Sequence, residues 1–269
     1  MSERDVKVAM SIAGSDSGGG AGIQADLKAF AAVGVHGTCA ITAITAQSTV
    51  GVDAIHPIPP EIVVAQVRAV AEDIGVDAVK VGMLGSRVTT NAVAEALDLL
   101  GDVPVVVDPV MVAESGAELL EADARDALIV EILPRASVLT PNLPEARRLA
   151  GIGEGASAAE LAGAIRALGP GAVVVTGGHA DGVDVLDDGS GEPLELPGEV
   201  HRDGAAHGSG CTHSSALAAH LALGAPLREA ARAARELAGR AVAGGLREIG
   251  AGPGPVDALG VARRSGAAD

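Results

Sequence analysis

Residues 207–215 read His-Gly-Ser-Gly-Cys-Thr-His-Ser-Ser, and they introduce an apolar segment with helical spacing that runs to about residue 223. The backbone N–H groups of residues 208–210 can converge on one point at the start of this helix, where the helix dipole also favours negative charge. The stretch therefore predicts an anion-binding loop that needs no lysine. Cys211 follows at the helix N-terminus, where a thiol ionises more easily and can act as a base or a nucleophile. The alternative is a glycine turn before a helix with a small buried cysteine.

Outward from this loop, short β-branched runs alternate along the chain with Ala/Leu-rich segments of helical period. The predicted strands are 6–13, 35–46, 78–83, 103–107, 137–140 and 172–176, with a hairpin over 183–186 and 194–196. The predicted helices lie near 20–33, 60–73, 87–100, 121–131, 142–150, 157–168, 211–223 and 226–247. This alternation predicts an α/β fold, with a mostly parallel sheet flanked by helices on both faces. No linker divides the chain, so we expect one domain over 1–269, frayed at 1–5 and 263–269.

Composition excludes several classes of function. Nineteen basic residues stand against 35 acidic ones, a formal charge of −16, which argues against nucleic acid as a partner. Phe30 is the only aromatic residue, so aliphatic side chains and methionine must hold any flat ring. Two cysteines give no disulfide framework, the N-terminus has no apolar signal segment, and no apolar run reaches membrane-spanning length. We therefore expect a cytoplasmic protein with a small-molecule substrate and no membrane partner.

In such a sheet, ligands collect at the carboxyl ends of the strands, where this chain is rich in glycine and polar residues. Residues 14–22 follow the first strand and open a helix, but they lack the G-x-G-x-x-G spacing of a dinucleotide site. The sequence also contains no G-x-x-x-x-G-K-[ST] phosphate loop. The remaining interpretations are a flexible turn, or a loop whose glycines let the backbone approach a ligand.

Polar side chains follow later strands as well. Asp108, Asn142 and Glu145 offer oxygen ligands of the kind that suits hydrated Mg²⁺. The last two also fit a simple helix-capping pattern, and the two roles can coexist. Gln47 ends the second predicted strand, and its carboxamide matches the amino group and adjacent ring nitrogen of an aminopyrimidine.

These loops, taken in order, resemble the ribokinase-like small-molecule kinases, and within them closely the hydroxymethylpyrimidine/phosphomethylpyrimidine kinases of thiamine biosynthesis. The matching segments are 13–28, 46–52, 81–84, 108–113, 140–146, 177–179, 207–212 and 252–256. The resemblance implies a single-domain three-layer sandwich, ATP and Mg²⁺ as cofactors, and a homodimer. It implies phosphorylation of 4-amino-5-hydroxymethyl-2-methylpyrimidine and then of its monophosphate. A pyridoxal/pyridoxine kinase of the same family is the alternative, since such enzymes share the cysteine motif. A non-catalytic relative and a nicotinamide oxidoreductase are both disfavoured.

The resemblance also implies roles for individual residues. The pyrimidine site would comprise Gly14, Ala21, Asp26, Gln47, Met83 and Val110. Mg²⁺ would be managed by Asp108, Asn142 and Glu145, and ATP contacted by Asn142, Thr176, Gly178 and Ser209. The catalytic anion hole would be Gly208, Ser209, Gly210 and Cys211, with the thiol in the position of the base. Relatives more often carry lysine where Thr176 and Glu114 stand, so we expect the metal and the helix N-terminus to provide most of the charge neutralisation.

Overall fold

The computed structural model of the chain describes residues 5–113, 116–177, 182–201 and 204–265. Within these residues the strands are β1 (Val8–Ala13), β2 (His36–Ile41), β3 (Ala43–Gln47), β4 (Val52–Pro57), β5 (Ala78–Val81), β6 (Val105–Val107), β7 (Val138–Leu139), β8 (Ala172–Val175), β9 (Val183–Asp187) and β10 (Leu194–Pro197). The helices are α1 (Gly22–Val33), α2 (Pro60–Asp73), α3 (Arg87–Leu97), α4 (Ala122–Ala127), α5 (Leu143–Ala150), α6 (Ala158–Arg166), α7 (Ser209–Ala222), α8 (Leu227–Ala243) and α9 (Val261–Ser265). Helix α4 continues into a π-helical turn, Leu128–Ile132, and a 3₁₀ turn, Leu133–Arg135.

Eight strands form the main sheet, in the order β10-β9-β8-β7-β6-β5-β1-β2. The pairs from β2 across to β8 are parallel, whereas β8–β9 and β9–β10 are antiparallel. The order changes direction at β1, which lies between β2 and β5. The mostly parallel sheet predicted from the alternation is therefore confirmed.

Helices cover both faces of this sheet because its strands are apolar on both sides. Val105 and Val107 pack with α2, α3, α5 and α6 in one buried cluster, whereas Val106 packs with α1, α7 and α8 in another. Successive strand side chains point to opposite faces, so one short strand contributes to two cores. The result is the three-layer arrangement that the sequence predicts.

The predicted strand 35–46 is wrong in one respect, because it forms two strands. At Thr42 the chain leaves the main sheet, and the Thr42 hydroxyl donates to the Met83 carbonyl oxygen at 2.7 Å. Strand β3 then pairs antiparallel with β4 in a separate two-stranded sheet. Strand β4 was not predicted, because it is mostly exposed and its sequence, Val-Asp-Ala-Ile-His-Pro, lacks a buried alternating face. The segment after Gln47 is thus a hairpin turn.

A short helix overlaps the segment 263–269, for which the sequence predicts fraying. Helix α9 extends through residue 265, and the backbone N–H groups of Val261 and Ala262 donate to the Asp257 carboxylate at 2.8 and 3.0 Å. A carboxylate at a helix start satisfies N–H groups that have no intrahelical acceptor. Residues 1–4 and 266–269 lie outside the described residues.

Candidate active site

A cavity of about 610 Å³ lies at the carboxyl ends of the parallel strands, where an open α/β sheet ordinarily binds its ligands. Its walls come from the loops after β1, β5, β6, β7 and β8, from the end of β3 and from the first turn of α7. The predicted site residues that line it are Gly14, Ala21, Gln47, Met83, Asp108, Val110, Asn142, Glu145, Thr176, Gly208, Ser209, Gly210 and Cys211. Gly178 lies outside the described residues. Asp26 does not line the cavity.

The glycine-rich loop after β1 is held by its own hydrogen bonds, which argues against a flexible turn. The Asp16 carboxylate accepts from the backbone N–H groups of Gly18, Gly20 and Ala21 at 2.8–3.0 Å. Gly22 begins α1 with a φ of 56°, and a side chain there would overlap a backbone carbonyl across the loop. Glycine is required here because the chain turns back on itself at the cavity wall.

The second glycine loop begins α7, as the sequence predicts. Gly208 has a φ of 83°, a left-handed conformation that favours glycine. The Ser209 N–H donates to the Ala206 carbonyl at 2.9 Å, so it is not free for an anion and the predicted set of donors must change. The N–H groups of Gly210 and Cys211 lie in the first turn, where a helix offers no acceptor of its own. An anion would therefore bind to these two groups.

Cys211 does not have the easily ionised thiol that its place at a helix start predicts. Burial, together with the negative charges of Asp26 and Asp108, raises its pKa to about 12, although the charge of Lys80 and a hydrogen bond from the Gly22 N–H act in the opposite direction. The cost of removing a thiolate from water exceeds the favourable effect of the helix dipole. In this structure Cys211 is a neutral thiol at pH 7.

Lys80, in β5, is the functional residue that the sequence reasoning missed. Its ammonium group is fully buried at the cavity wall, 2.9 Å from Asp26 Oδ1 and 3.8 Å from Asp108 Oδ2. Burial alone would lower the pKa of Lys80, but the neighbouring negative charges outweigh it and raise the pKa above its ordinary value. A lone lysine within an apolar strand, Ala-Val-Lys-Val, was the available signal.

Asp26 was expected at the pyrimidine, and it lies outside the residues that line the cavity. Its carboxylate is fully buried behind the cavity wall, where it accepts from Lys80 Nζ, the Ser11 hydroxyl and the Ser215 hydroxyl. A buried carboxylate needs such partners. Asp26 therefore holds Lys80 in place and reaches the cavity only through it.

Asp108, Asn142 and Glu145 come together at the ends of β6 and β7. Asn142 and Glu145 form the reciprocal capping box of α5, so the capping interpretation is correct. Burial raises the pKa of Asp108, and burial with the charge of Asp108 raises the pKa of Glu145 to about 8.

The donor atoms of these three residues are of the kind that a hydrated Mg²⁺ ion binds. Among the described residues, no three His, Cys, Asp or Glu side chains are arranged to enclose a metal. Mg²⁺ usually keeps several waters and takes one or two carboxylates, which is what Asp108 and Glu145 offer. Burial is the largest cause of both raised pKa values, and the charge of Asp108 adds to that of Glu145; a divalent cation would favour the ionised form of both carboxylates.

A second polar cluster lies at the far end of the cavity beside Thr176. Asp184 Oδ2 is 3.4 Å from His213 Nε2 and 3.5 Å from Arg235 Nε, and all three side chains line the cavity. The sequence analysis did not anticipate two cationic groups at the cavity, the buried Lys80 and the partly buried Arg235, each of which is paired with an acid.

Comparison with known proteins shows the family of this chain. The model of the family described as phosphomethylpyrimidine kinase matches residues 16–257. The chain belongs to this family.

Relatives within and near the phosphomethylpyrimidine kinase family cover nearly the whole chain. A hydroxymethylpyrimidine/phosphomethylpyrimidine kinase of Rhizobium meliloti is 51% identical and covers 93% of this chain and 96% of its own. The crystal structure of a phosphomethylpyrimidine kinase from Clostridium difficile is 40% identical, with a TM-score of 0.76 over 86% of this chain and 96% of its own. A pyridoxal kinase from Staphylococcus aureus, solved with AMP-PCP and pyridoxal, is 33% identical, with a TM-score of 0.83 over 94% of each chain. The predicted family and fold class are confirmed.

None of the helices in the described part of the chain is long and apolar enough to cross a bilayer.

Proposed function

We propose that the protein transfers a phosphoryl group from ATP to the hydroxymethyl oxygen of 4-amino-5-hydroxymethyl-2-methylpyrimidine, and a second one to the resulting monophosphate. The observation that carries this proposal is the single cavity in which the loop after β1 and Gln47 face the anion-binding start of α7. Membership of the phosphomethylpyrimidine kinase family and the Rhizobium meliloti relative support the same substrate.

The pyrimidine is proposed to lie among Gly14, Ala21, Gln47, Met83 and Val110, all of which line the cavity. Gln47 is well placed for its amino edge. Its backbone is tied to the glycine-rich loop, since its N–H donates to the Ser17 hydroxyl at 2.8 Å and its carbonyl accepts from that hydroxyl at 2.7 Å. An amide supplies a donor and an acceptor together, as an aminopyrimidine edge requires.

ATP is proposed to lie along the other half of the cavity, past Asn142 and Thr176. A related pyridoxal kinase binds ADP and AMP-PCP in crystals, which supports nucleotide use by this fold. Asp108 and Glu145 would hold Mg²⁺, with Asn142 beside them. Bound there, the metal would neutralise charge on the nucleotide phosphates.

The chain's own groups would act on the transferred phosphoryl group as follows. The N–H groups of Gly210 and Cys211 stabilise its developing negative charge. The hydroxymethyl oxygen attacks phosphorus while the bond to the ADP oxygen breaks, and the hydroxyl proton passes to the sulfur of Cys211 in its ionised form, which a cation held at Asp108 would favour. Lys80 lies beside this point and stabilises the negative charge of the ionised thiol.

A pyridoxal kinase is the second candidate, because the Staphylococcus aureus enzyme in complex with pyridoxal superposes with a TM-score of 0.85, above the 0.76 of the Clostridium difficile enzyme. The test incubates the purified protein with ATP and Mg²⁺, separately with the hydroxymethylpyrimidine, its monophosphate and pyridoxal, and identifies products by mass. We expect the pyrimidine monophosphate and pyrophosphate as products. Phosphorylation of pyridoxal in preference to both pyrimidines would overturn the proposal.

We also propose that the chain is a single domain that forms a homodimer in the cytoplasm. The hairpin of β3, β4 and their turn leaves Ile44, Val50 and Ile55 exposed at 51, 62 and 41%, an apolar surface that a second copy can cover. Light scattering coupled to size exclusion tests the dimer, and a monomer at micromolar concentration would contradict it.

A further inference from the structure

The two glycine loops of the cavity contact each other directly. Gly20 of the first loop lies against the ring of His207, and Gly208 of the second lies against the Gly20 carbonyl. A side chain at Gly20 or Gly208 would overlap the opposite loop. The loop that is proposed to hold the pyrimidine and the loop that is proposed to hold phosphate therefore form one packed unit.

Asp16 joins these loops at a single buried point. Its carboxylate, which already accepts the N–H groups of its own loop, also lies 2.9 Å from His207 Nε2. Asp16 is 1% exposed and His207 is 6% exposed, so water does not compete for this bond. Burial alone would raise the pKa of Asp16, but the bonds from His207, Ala21 and Gly18 outweigh it and lower the pKa below its ordinary value.

His207 belongs to the loop that precedes α7, and its backbone is held by the segment at Pro255 and Val256. Its carbonyl accepts from the Val256 N–H at 3.1 Å, in a parallel bridge with Pro255. The imidazole therefore cannot follow Asp16 without moving the backbone immediately before Gly208. Likewise, the Asp16 carboxylate cannot move without releasing three N–H groups of its own loop.

We propose that Asp16 and His207 are positioning residues that couple the two substrates, so that a bound pyrimidine tightens the binding of nucleotide and the reverse. The inference rests on the proposed function for the identity of the two ligands. The pyrimidine orders the first loop, the Asp16–His207 bond transmits that order to the second loop, and the N–H groups of Gly210 and Cys211 then meet the phosphates in a fixed arrangement. Such coupling is reciprocal by thermodynamic necessity.

The test measures the dissociation constant of the hydroxymethylpyrimidine by calorimetry, with and without AMP-PCP and Mg²⁺. In the wild-type protein we expect the nucleotide analogue to tighten pyrimidine binding by about fivefold or more, the lower end of common coupling. His207→Leu keeps a similar volume without a donor and should reduce this gain to within about twofold of none. His207→Gln can place an amide N–H near the position of Nε2 and should retain the gain.

Asp187→Asn is the matched control. Asp187 is also a buried carboxylate with an ion pair, 3.1 Å from Arg166 Nε, but it does not line the cavity, so its loss should leave the coupling unchanged. Asp16→Asn weakens the same bond from the first loop and should also reduce the gain in pyrimidine affinity. It provides the test if His207→Leu does not fold. Thermal melts identify the folded variants.

The outcomes separate this inference from the proposed function. A folded His207→Leu protein with wild-type coupling, or a wild-type protein without coupling, overturns only the proposed coupling through Asp16 and His207. If the wild-type protein binds pyridoxal and not the pyrimidine, the proposed substrate is wrong and the same coupling is measured with pyridoxal. A protein that binds neither compound overturns both proposals.

Discussion

Replacing Cys211 should affect the two proposed phosphorylations unequally. In the first, the nucleophile is an alcohol that must lose a proton, and a positioned base contributes about 10²–10⁴ in rate. In the second, the nucleophile is a phosphate oxygen whose second pKa is about 6, so it is already ionised at neutral pH. We expect Cys211→Ala to lower kcat for the hydroxymethylpyrimidine by about 10² or more. The kcat for the monophosphate should stay within roughly tenfold, because no base is needed there.

The structure adds a dependence on pH to this expectation. With a pKa of about 12 in the site without ligands, the thiol is mainly protonated at the pH of an assay, and a cation held at Asp108 would lower this pKa because the Asp108 charge is one of its causes. Its basic form therefore grows about tenfold with each unit of pH. The kcat of the first step should rise with pH from 6 to 9 with a logarithmic slope of about one, and this slope should be absent in the variant. The second step should level off once the monophosphate is ionised, above a pH of about 6.

Cys211→Ser separates a chemical role from a structural one. The Cys211 sulfur accepts a hydrogen bond from the Gly22 N–H, and alanine leaves that donor without its partner. Serine restores an acceptor but not a usable base. Both variants should lose the first step equally, as measured by kcat for each substrate alone. Equal losses in both steps, or recovery of the first step by serine, would show that Cys211 shapes the loop and does not take the proton.

Three other substitutions follow from the same site. Gln47→Glu should raise KM for the pyrimidine roughly tenfold or more and leave KM for ATP unchanged. The reason is that an unpaired polar edge of the buried pyrimidine costs about 1–3 kcal/mol. Unaltered pyrimidine kinetics would remove Gln47 from the site. Lys80→Met should lower the free energy of unfolding by about 3–5 kcal/mol, because it leaves Asp26 charged and unpaired, and adding Asp26→Asn should recover most of this loss in urea denaturation. A double variant no more stable than the single one would contradict that account. Thr176→Lys should lower the Mg²⁺ concentration needed for half-maximal activity, and an unchanged requirement, or activity of the parent in EDTA, would count against charge neutralisation by the metal.

Most of the fold could be predicted because its buried parallel strands share one apolar composition and alternate with helices along the chain. The run Val105–Val107 and its neighbours are apolar on both faces, and a buried parallel strand has that composition wherever it occurs. Strand β4 could not be predicted in this way, since it pairs with one partner only and keeps polar and exposed residues. The break at Thr42 depends on a hydrogen bond to Met83, a residue 41 positions away that local patterns do not contain.

The backbone conformation of the site loops could be predicted from the sequence, but the pKa values and ion pairs of the site side chains could not. Glycines and capping residues indicate the local backbone conformation by their residue type. Gly208 and the Asn142–Glu145 capping box can therefore be recognised from the sequence. The pKa of Cys211 depends instead on how fully the surrounding layers exclude water, and a helix-start position alone suggests the opposite direction. Lys80 and Asp26 are 54 positions apart, and only the fold makes them a pair.

The charges at the cavity support the proposed binding of a divalent cation together with the nucleotide. Lys80 is engaged by Asp26, so its positive charge is largely balanced before any ligand arrives. What remains exposed to the ligand is the pair Asp108 and Glu145, and the raised pKa of Glu145, about 8, means that it holds a proton at neutral pH in the empty site. A nucleotide alone would add negative charge to this arrangement. A divalent cation held by Asp108 and Glu145 would allow both carboxylates to ionise and would offset the charge of the phosphates near the N–H groups of α7, so we expect binding of the nucleotide and of the metal to be linked.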